Sequence, residues 1–408
     1  MEEHIIEEDN IKNDILGKKM IYLDHAATTA INKDVLKEMM PYLINQYGNP
    51  SSIYSFGRKS RKAIENSRQQ VAAAINAKKS EIYFTSGGTE ADNWAIKGIT
   101  QYYKKKGKHI ITTSIEHHAV FNSCKRLEKE GFEISYLPVD NDGKISIEDL
   151  RKAIRSDTIL ISIMMANNEI GTLEPIAEIG KIARERNIIF HTDAIQAVGS
   201  ITIDVEELQV DLLSISAHKF YGPKGVGALY IKKGTGIKAL MDGGEQEKGK
   251  RASTENVSAI VGMGKAIEIA NKGLIQYQKQ MCYLRDKAIE EILKSIPNAK
   301  LNGHAVDRLP GNVNIAFNGM EAEAMILKLD KMGFAVSSGS ACASGSPEPS
   351  HVLKAIGLSH EMAQCSLRFT FGAENNIRDV EELVKALKKI YSVHSEKGTV
   401  HSCFSVGN

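Results

Sequence analysis

The sequence predicts an α/β fold: a mainly parallel central sheet with flanking helices, followed by a smaller α+β domain. Three observations predict it. From about residue 80 to 232, short Ile-rich runs alternate with helical patterns, the order that lays helices on both sides of a parallel sheet. Those runs are apolar almost without interruption, as strands covered on both faces are. Beyond Val257 the alternation gives way to one long helical stretch and then to scattered strands and helices.

The strand candidates are EIYFT (81–85), HIITT (109–113), TILISIMM (158–165), NIIFHT (187–192), DLLSIS (211–216) and GALYIKK (227–233), each bounded by Gly, Asn or charge. PIAEIGKIARER (175–186) reads as a helix with Pro175 at its first position and Ile176, Ile179 and Ala183 on one face. A helix is expected from Val257 to Ile296, broken near Gly273, and NVNIAF (312–317) reads as a strand. Val380, Leu383, Val384, Leu387 and Tyr391 mark a helix over 377–391. The tail beyond Tyr391 has little periodicity and is expected to be mobile. With 408 residues the chain exceeds one ordinary domain. The expected division is a large domain over 30–275 and a small one made of 1–29 and 276–408.

Lys and Arg total 52 against 50 Asp and Glu, a formal charge of +2. Nothing in that balance draws the whole chain to nucleic acid or to an anionic membrane, and neither is an expected partner. The N-terminus MEEHIIEEDN is acidic with no apolar run behind it, unlike a targeting signal. No stretch approaches the roughly 18 apolar residues of a membrane span. The expectation is a soluble, cytoplasmic protein. Five cysteines without a C-x-x-C pair speak against a disulfide framework or a Cys-based zinc site and leave the question of one nucleophilic thiol.

Chemistry-bearing residues cluster where strands end. In SISAHKFYGPKGVGALY (214–230), Lys219 follows a strand, where α/β sheets bind ligands. It is either a surface lysine or an amine kept reactive for imine chemistry. Asp193 and Gln196 follow the strand over 187–192. Asp193 is a helix cap or the carboxylate that keeps a pyridine nitrogen protonated, and Gln196 can donate to a ring hydroxyl. In YFTSGGTEADNWAIKG (83–98) a strand meets Ser-Gly-Gly-Thr and then a helix, a turn whose free N–H groups suit an anion. It is not a Walker loop. His117, in TTSIEHHAV (112–120), is placed to stack on a flat ring and move protons. A metal reading of His117–His118 is discounted, because strand neighbours point to opposite faces and no carboxylate stands at a ligand spacing. Asn168 makes a turn or bonds a ligand. Cys342, in AVSSGSACASGSPEPSHVL (335–353), sits in what reads as a flexible exposed loop and is incidental or a nucleophile. Arg368, in SLRFTFG (366–372), forms a structural ion pair or grips a carboxylate.

Together the segments YLDHAATT (22–29), YGNPSSIYSFGR (47–58), TSGGTEADN (85–93), EHHAV (116–120), NNEIGT (167–172), HTDAIQAVG (191–199), SAHKFYGPKGVGALY (216–230), RAST (251–254), SSGSACASGSPEPSHVL (337–353) and SLRF (366–369) resemble the cysteine desulfurases. These are class V aminotransferase-like, fold-type I enzymes that use pyridoxal 5'-phosphate. The long cysteine loop resembles the housekeeping and nitrogenase-associated subgroup. The resemblance implies that Lys219 carries the cofactor as an imine, Asp193 pairs with its ring nitrogen, Gln196 and Asn168 lie near the ring oxygen, and His117 stacks on the ring. It implies that Gly88, Thr89, Ser216 and His218 hold the phosphate, and that Thr254 reaches the phosphate of a partner subunit in a homodimer. Arg368 is then the carboxylate grip for L-cysteine and Cys342 the sulfur acceptor. L-Alanine leaves, and the persulfide passes to an acceptor such as an iron–sulfur scaffold, a tRNA-thiolation enzyme or a nitrogenase maturation protein. No resident metal is implied, although Cys342 can transiently ligate a cluster on an acceptor. His25 is given no catalytic role, and Cys403 is read as a bystander rather than a sulfur relay. Two rival readings stand: a selenocysteine lyase or other class V enzyme, and a sulfur-handling scaffold without catalysis.

Overall fold

The computed structural model describes residues 14–15, 18–338 and 349–396. Its central sheet has seven strands, in spatial order Ile82–Thr85, Gly227–Ile231, Leu212–Ser216, Ile189–Asp193, Thr158–Ser162, His109–Thr113 and Glu133–Leu137. Gly227–Ile231 runs antiparallel to both of its neighbours, and the remaining pairs are parallel. Every expected strand of this region forms. Thr158–Ser162 stops three residues short of the expected end, where the Met164 N–H turns to the Glu116 carboxyl at 2.9 Å. Glu133–Leu137 was not anticipated. It is an edge strand whose first residue is exposed, so it lacks the continuous apolar run of its neighbours.

Strand alternation feeds two cores, one on each face of the sheet. Ile82, Phe84, Ile161, Leu213, Ile215 and Tyr230 face one cluster. Tyr83, Leu160, Leu212, Leu229 and Ile231 face another, built around the fully buried Trp94.

A second sheet has the order Ala299–Leu301, Asn312–Phe317, Ser366–Thr370 and Ser337–Ser338. Its core draws in Leu23 from the N-terminal segment, and Ile21–Tyr22 pairs with Phe334–Ala335. Between the sheets runs one unbroken helix, Val257–Ser295, of 39 residues. The expected break at Gly273 does not occur. A mid-helix glycine costs only about 1 kcal/mol against alanine, and packing on both sides outweighs it: Ala259–Ile267 contribute to the first core and Met281–Ile292 to the second.

Three smaller expectations are corrected. Pro175 is the N-cap and the helix starts at Ile176. The last helix continues past Tyr391 to Glu396, so the chain just beyond Tyr391 is regular. The segment 335–353 is not a loop throughout: Ser337–Ser338 pairs with Leu367 and Arg368, and Ser350 caps the helix His351–Ala355. Cys342 and Cys403 lie outside the described residues. No helix among the described residues is long and apolar enough to cross a membrane.

Candidate active site

The parallel strands deliver their carboxyl ends to one crevice, where such sheets bind ligands. There the loops after Thr85, Thr113, Ser162, Asp193 and Ser216 enclose a cavity of about 360 Å³. Gly88, Thr89, His117, Asn168, Asp193, Gln196, Ser216, His218, Lys219 and Arg368 all line it. Residues from 88 to 368 therefore meet in one place. Thr254 does not. It lies in a separate cavity with Ser86, Gly225 and Arg251, on a segment fastened by Arg251 to the Glu90 carboxylate at 2.8 and 3.0 Å.

Lys219 ends a short 3₁₀ turn directly after the strand Leu212–Ser216. Its Nζ donates to the carbonyls of Ala26 at 2.6 Å and Ala27 at 2.7 Å. Asp193 ends its own strand, 5% exposed, and its carboxylate accepts from the Ile195 N–H at 2.9 Å. Burial pushes its pKa up to about 6, against the pull of that hydrogen bond and of the Lys219 charge. Behind it Asp92 is fully buried, with Ser214 beside its carboxyl and His191 Nε2 3.7 Å from Oδ1. Burial, reinforced by the charge of Asp193, drives its pKa well above the carboxylate range. Asp193 lines the cavity and Asp92 does not, so Asp193 is the carboxyl that faces a ligand.

His117 is the N-cap of the helix His118–Glu128, its Nδ1 accepting from the Ala119 N–H at 3.2 Å. Burial, with Lys219 beside it, lowers its pKa to about 4, so the imidazole is neutral near pH 7, and with Nδ1 accepting from Ala119 its hydrogen stands on Nε2. The expected strand geometry for His117–His118 is wrong, since the strand ends at Thr113. The expected lack of nearby carboxylates also fails in space: ligand atoms of Asp92, His117 and Asp193 lie within 4.8 Å of one another. Asp92 sits in the helix Gly88–Tyr103 and Asp193 ends the strand Ile189–Asp193, and their sequence spacing from His117 hid the proximity.

The helix Gly88–Tyr103 starts without a side-chain cap, so its first N–H groups are available to an anion. A Cβ on Gly88 would stand 2.1 Å from Ile195 Cδ1, so any larger residue there has to displace the Ile195 side chain. His218 Nδ1 lies 3.0 Å from Thr28 Oγ1, and burial with the Lys219 and Lys224 charges lowers its pKa to about 4. Arg368 is held by Asp24 at 2.8 Å and by the Asn168 carbonyl at 3.0 Å.

Reasoning from sequence missed two features. The segment 24–29 straps across the site: besides holding Lys219 and Arg368, it accepts from Gln196 Nε2 at the Ala26 carbonyl, 3.0 Å away. Its only signal was the YLDHAATT match. His191 lies beneath the site, bracketed by Ser162 at 2.9 Å and Ser214 at 3.0 Å. Burial lowers its pKa to about 3, and a lone histidine inside an apolar strand gave no hint of those contacts. Cys124 is fully buried, and burial pushes its thiol far up, away from the reactive thiolate.

An uncapped helix start for a phosphate, a buried carboxylate for a ring nitrogen and a lysine amine in one cavity fit pyridoxal 5'-phosphate as a donor set. The model of the aminotransferase class-V family matches residues 21–383. The chain belongs to that family. Its relatives include a protein named cysteine desulfurase IscS from Clostridium botulinum, 54% identical over 380 residues, which cover 93% of this chain and 96% of the relative. A solved NifS-like protein superposes with a TM-score of 0.87 at 37% identity, over 92% of this chain and all of its own. A structure titled SspA in complex with cysteine gives a TM-score of 0.77 at 37% identity, covering 86% of this chain and 98% of that one. The class V fold matches the expected architecture, and its cofactor is pyridoxal 5'-phosphate.

Proposed function

We propose that the chain is a cysteine desulfurase that converts L-cysteine to L-alanine and holds the sulfur as a persulfide on Cys342. One observation carries the reading: Lys219, Asp193, His117 and Arg368 open on a single cavity of about 360 Å³. The desulfurase relatives and the cysteine complex of a similar fold support it.

Gly88, Thr89, Ser216 and His218 would hold the cofactor phosphate, Asp193 its ring nitrogen, His117 its face, Asn168 and Gln196 its ring oxygen, and Lys219 its aldehyde. When bound, the cofactor supplies an electron sink that acidifies the substrate Cα–H and weakens the Cβ–S bond. Arg368 orients the substrate through its carboxylate. Lys219 Nζ takes the Cα proton and returns it. Neutral His117 donates and accepts thiol protons at Nε2. Cys342 Sγ attacks the substrate sulfur, so an S–S bond forms and the Cβ–S bond breaks. The electron pair stays on carbon, and a proton completes the methyl group of alanine. The balance is L-cysteine plus the Cys342 thiol giving L-alanine plus the Cys342 persulfide.

The sulfur then passes to an acceptor protein of iron–sulfur assembly or another thiolation route, in the cytoplasm. The functional unit is a homodimer in which Thr254 reaches the partner's phosphate site. Leu43, Ile44, Tyr47, Ile53 and Tyr54 support this: they stand 54–86% exposed on one stretch of chain, an apolar surface of the kind that a second copy covers. The separate cores of the two sheets support a large domain over 30–275 and a small one of 1–29 with 276–408. The test is Cys342→Ala. The variant should keep its cofactor colour yet form alanine from L-cysteine at a small fraction of the parent rate. Undiminished turnover would end the persulfide reading.

A further inference from the structure

Arg368 lies on the strand Ser366–Thr370 with its side chain 2% exposed. A guanidinium has five N–H donors. One on Nη2 goes to Asp24 Oδ1 at 2.8 Å, one on Nη1 goes to the Asn168 carbonyl at 3.0 Å, and the Nε–H is buried without a partner. Each terminal nitrogen keeps one further hydrogen, and these two remain to meet a carboxylate in the cavity that Arg368 lines.

The Asp24 backbone is fixed beside Arg368. It bridges Thr370 on the strand that carries Arg368, and its carbonyl accepts from the Tyr22 hydroxyl and the Ala27 N–H, both at 3.0 Å. The other carboxyl near Arg368 is Glu169. Burial raises its pKa to about 7, and it is bonded by the Ser350 hydroxyl at 2.5 Å. Asp24 is therefore the carboxylate in direct contact.

We infer that Asp24 is a resident counter-ion that competes with the substrate α-carboxylate for Arg368, and so sets how tightly L-cysteine is taken and L-alanine is kept. The inference rests on the reading of Arg368 as the carboxylate grip. A buried guanidinium is costly until it is paired. Asp24 has already compensated Arg368 before substrate arrives, so a second carboxylate gains less. Substrate and product carry the same carboxylate, and a grip that holds both equally hard adds nothing to the chemical step. Asp24 gives up affinity in exchange for release of alanine.

The test uses the cofactor-loaded enzyme and its Asp24→Asn and Asp24→Ser variants. Dissociation constants for L-alanine, and for ethylamine as a probe without a carboxylate, are read from the cofactor absorbance. L-Alanine should bind about tenfold tighter in both variants, a change set by the lost competing charge. The KM for L-cysteine should fall, and ethylamine binding should stay unchanged. L-Alanine binding that is unchanged or weaker, or ethylamine tightening in parallel, overturns the counter-ion. Arg368→Gln separates the two layers. If it leaves L-alanine binding unaltered, the carboxylate reading of Arg368 falls. If it weakens L-alanine binding while the Asp24 variants fail to tighten it, only the counter-ion falls. A crystal structure of the parent enzyme with L-alanine decides without any variant: the ligand carboxylate on Arg368, with Asp24 sharing the guanidinium or displaced from it, supports the inference, and a ligand carboxylate that binds elsewhere while Asp24 stays on Arg368 overturns it.

Discussion

The Lys219 amine donates to the Ala26 carbonyl across 2.6 Å, joining residues 193 positions apart in the chain. The same amine reaches Ala27 at 2.7 Å, so one short segment near the N-terminus aims the side chain. Lys219→Ala should lower alanine formation from L-cysteine by roughly 10²–10⁴-fold, the range for losing a positioned acid–base group. Saturating cofactor should not restore it, and the imine absorbance should be absent. The check is initial rate alongside the visible spectrum. Turnover within tenfold of the parent would remove Lys219 from the chemistry.

Glu247 and Arg68 form a buried two-pronged ion pair at 2.6 and 2.7 Å. Glu247 also accepts from the Phe84 N–H at 2.9 Å, on a sheet strand. Its backbone has φ near +47° and that of Lys248 near +60°, so the pair holds a strained turn just ahead of the Thr254 segment. Glu247→Ala leaves the buried Arg68 guanidinium with the part-exposed Glu65 carboxylate at 3.0 Å as its remaining counter-charge and should cost about 3 kcal/mol, the low end for breaking a buried pair, measured by urea unfolding. If the segment serves a partner subunit, sedimentation should also show weaker self-association.

Glu174 accepts from the Ile145 N–H at 3.1 Å with one oxygen, while the other is buried without a partner. Burial raises its pKa from 4.5 to about 8. The folded protein therefore keeps this proton over a range where the unfolded chain has lost it. The contribution is fully present below pH 4.5 and is lost as pH rises towards about 8, with a slope near 1.4 kcal/mol per pH unit for one proton. Glu174→Gln should remove that component. Its advantage over the parent should grow between pH 5 and 8 in unfolding midpoints, and a pH-independent difference would show that Glu174 is not titrating there.

Gly88 faces Ile195, whose N–H holds Asp193. Gly88→Ala pushes a methyl group against Ile195 and disturbs the phosphate turn and the ring-nitrogen carboxylate together. Cofactor affinity should weaken about tenfold, with an overpacking cost of about 1–3 kcal/mol. Titration of the cofactor-free protein with pyridoxal 5'-phosphate gives the first figure and urea unfolding the second.

Lys219, Asp193, His117 and Arg368 could each be nominated from sequence because each follows or lies on a strand that periodicity reveals. Their convergence could not, since strand order is set by pairing between distant segments. The discounted carboxylates near His117 show the limit clearly: Asp92 stands 25 positions away in sequence yet brings a carboxyl oxygen within 4.8 Å of the His117 ring. Gly273 shows another, because helix propensity weighs local backbone freedom and cannot see two cores holding both ends of one helix.

By itself, then, the sequence determined the alternation of strands and helices, the residue types able to bind a phosphate, a ring and a carboxylate, and the family. Those properties reside in local pattern and in motif order. Tertiary structure alone decided that the N-terminal segment 24–29 straps the site, that Asp24 is the partner of Arg368, and that His191 and Asp92 lie buried together. Hydrogen bonds and desolvation act between atoms adjacent in space, and adjacency in space exists only once the chain has folded.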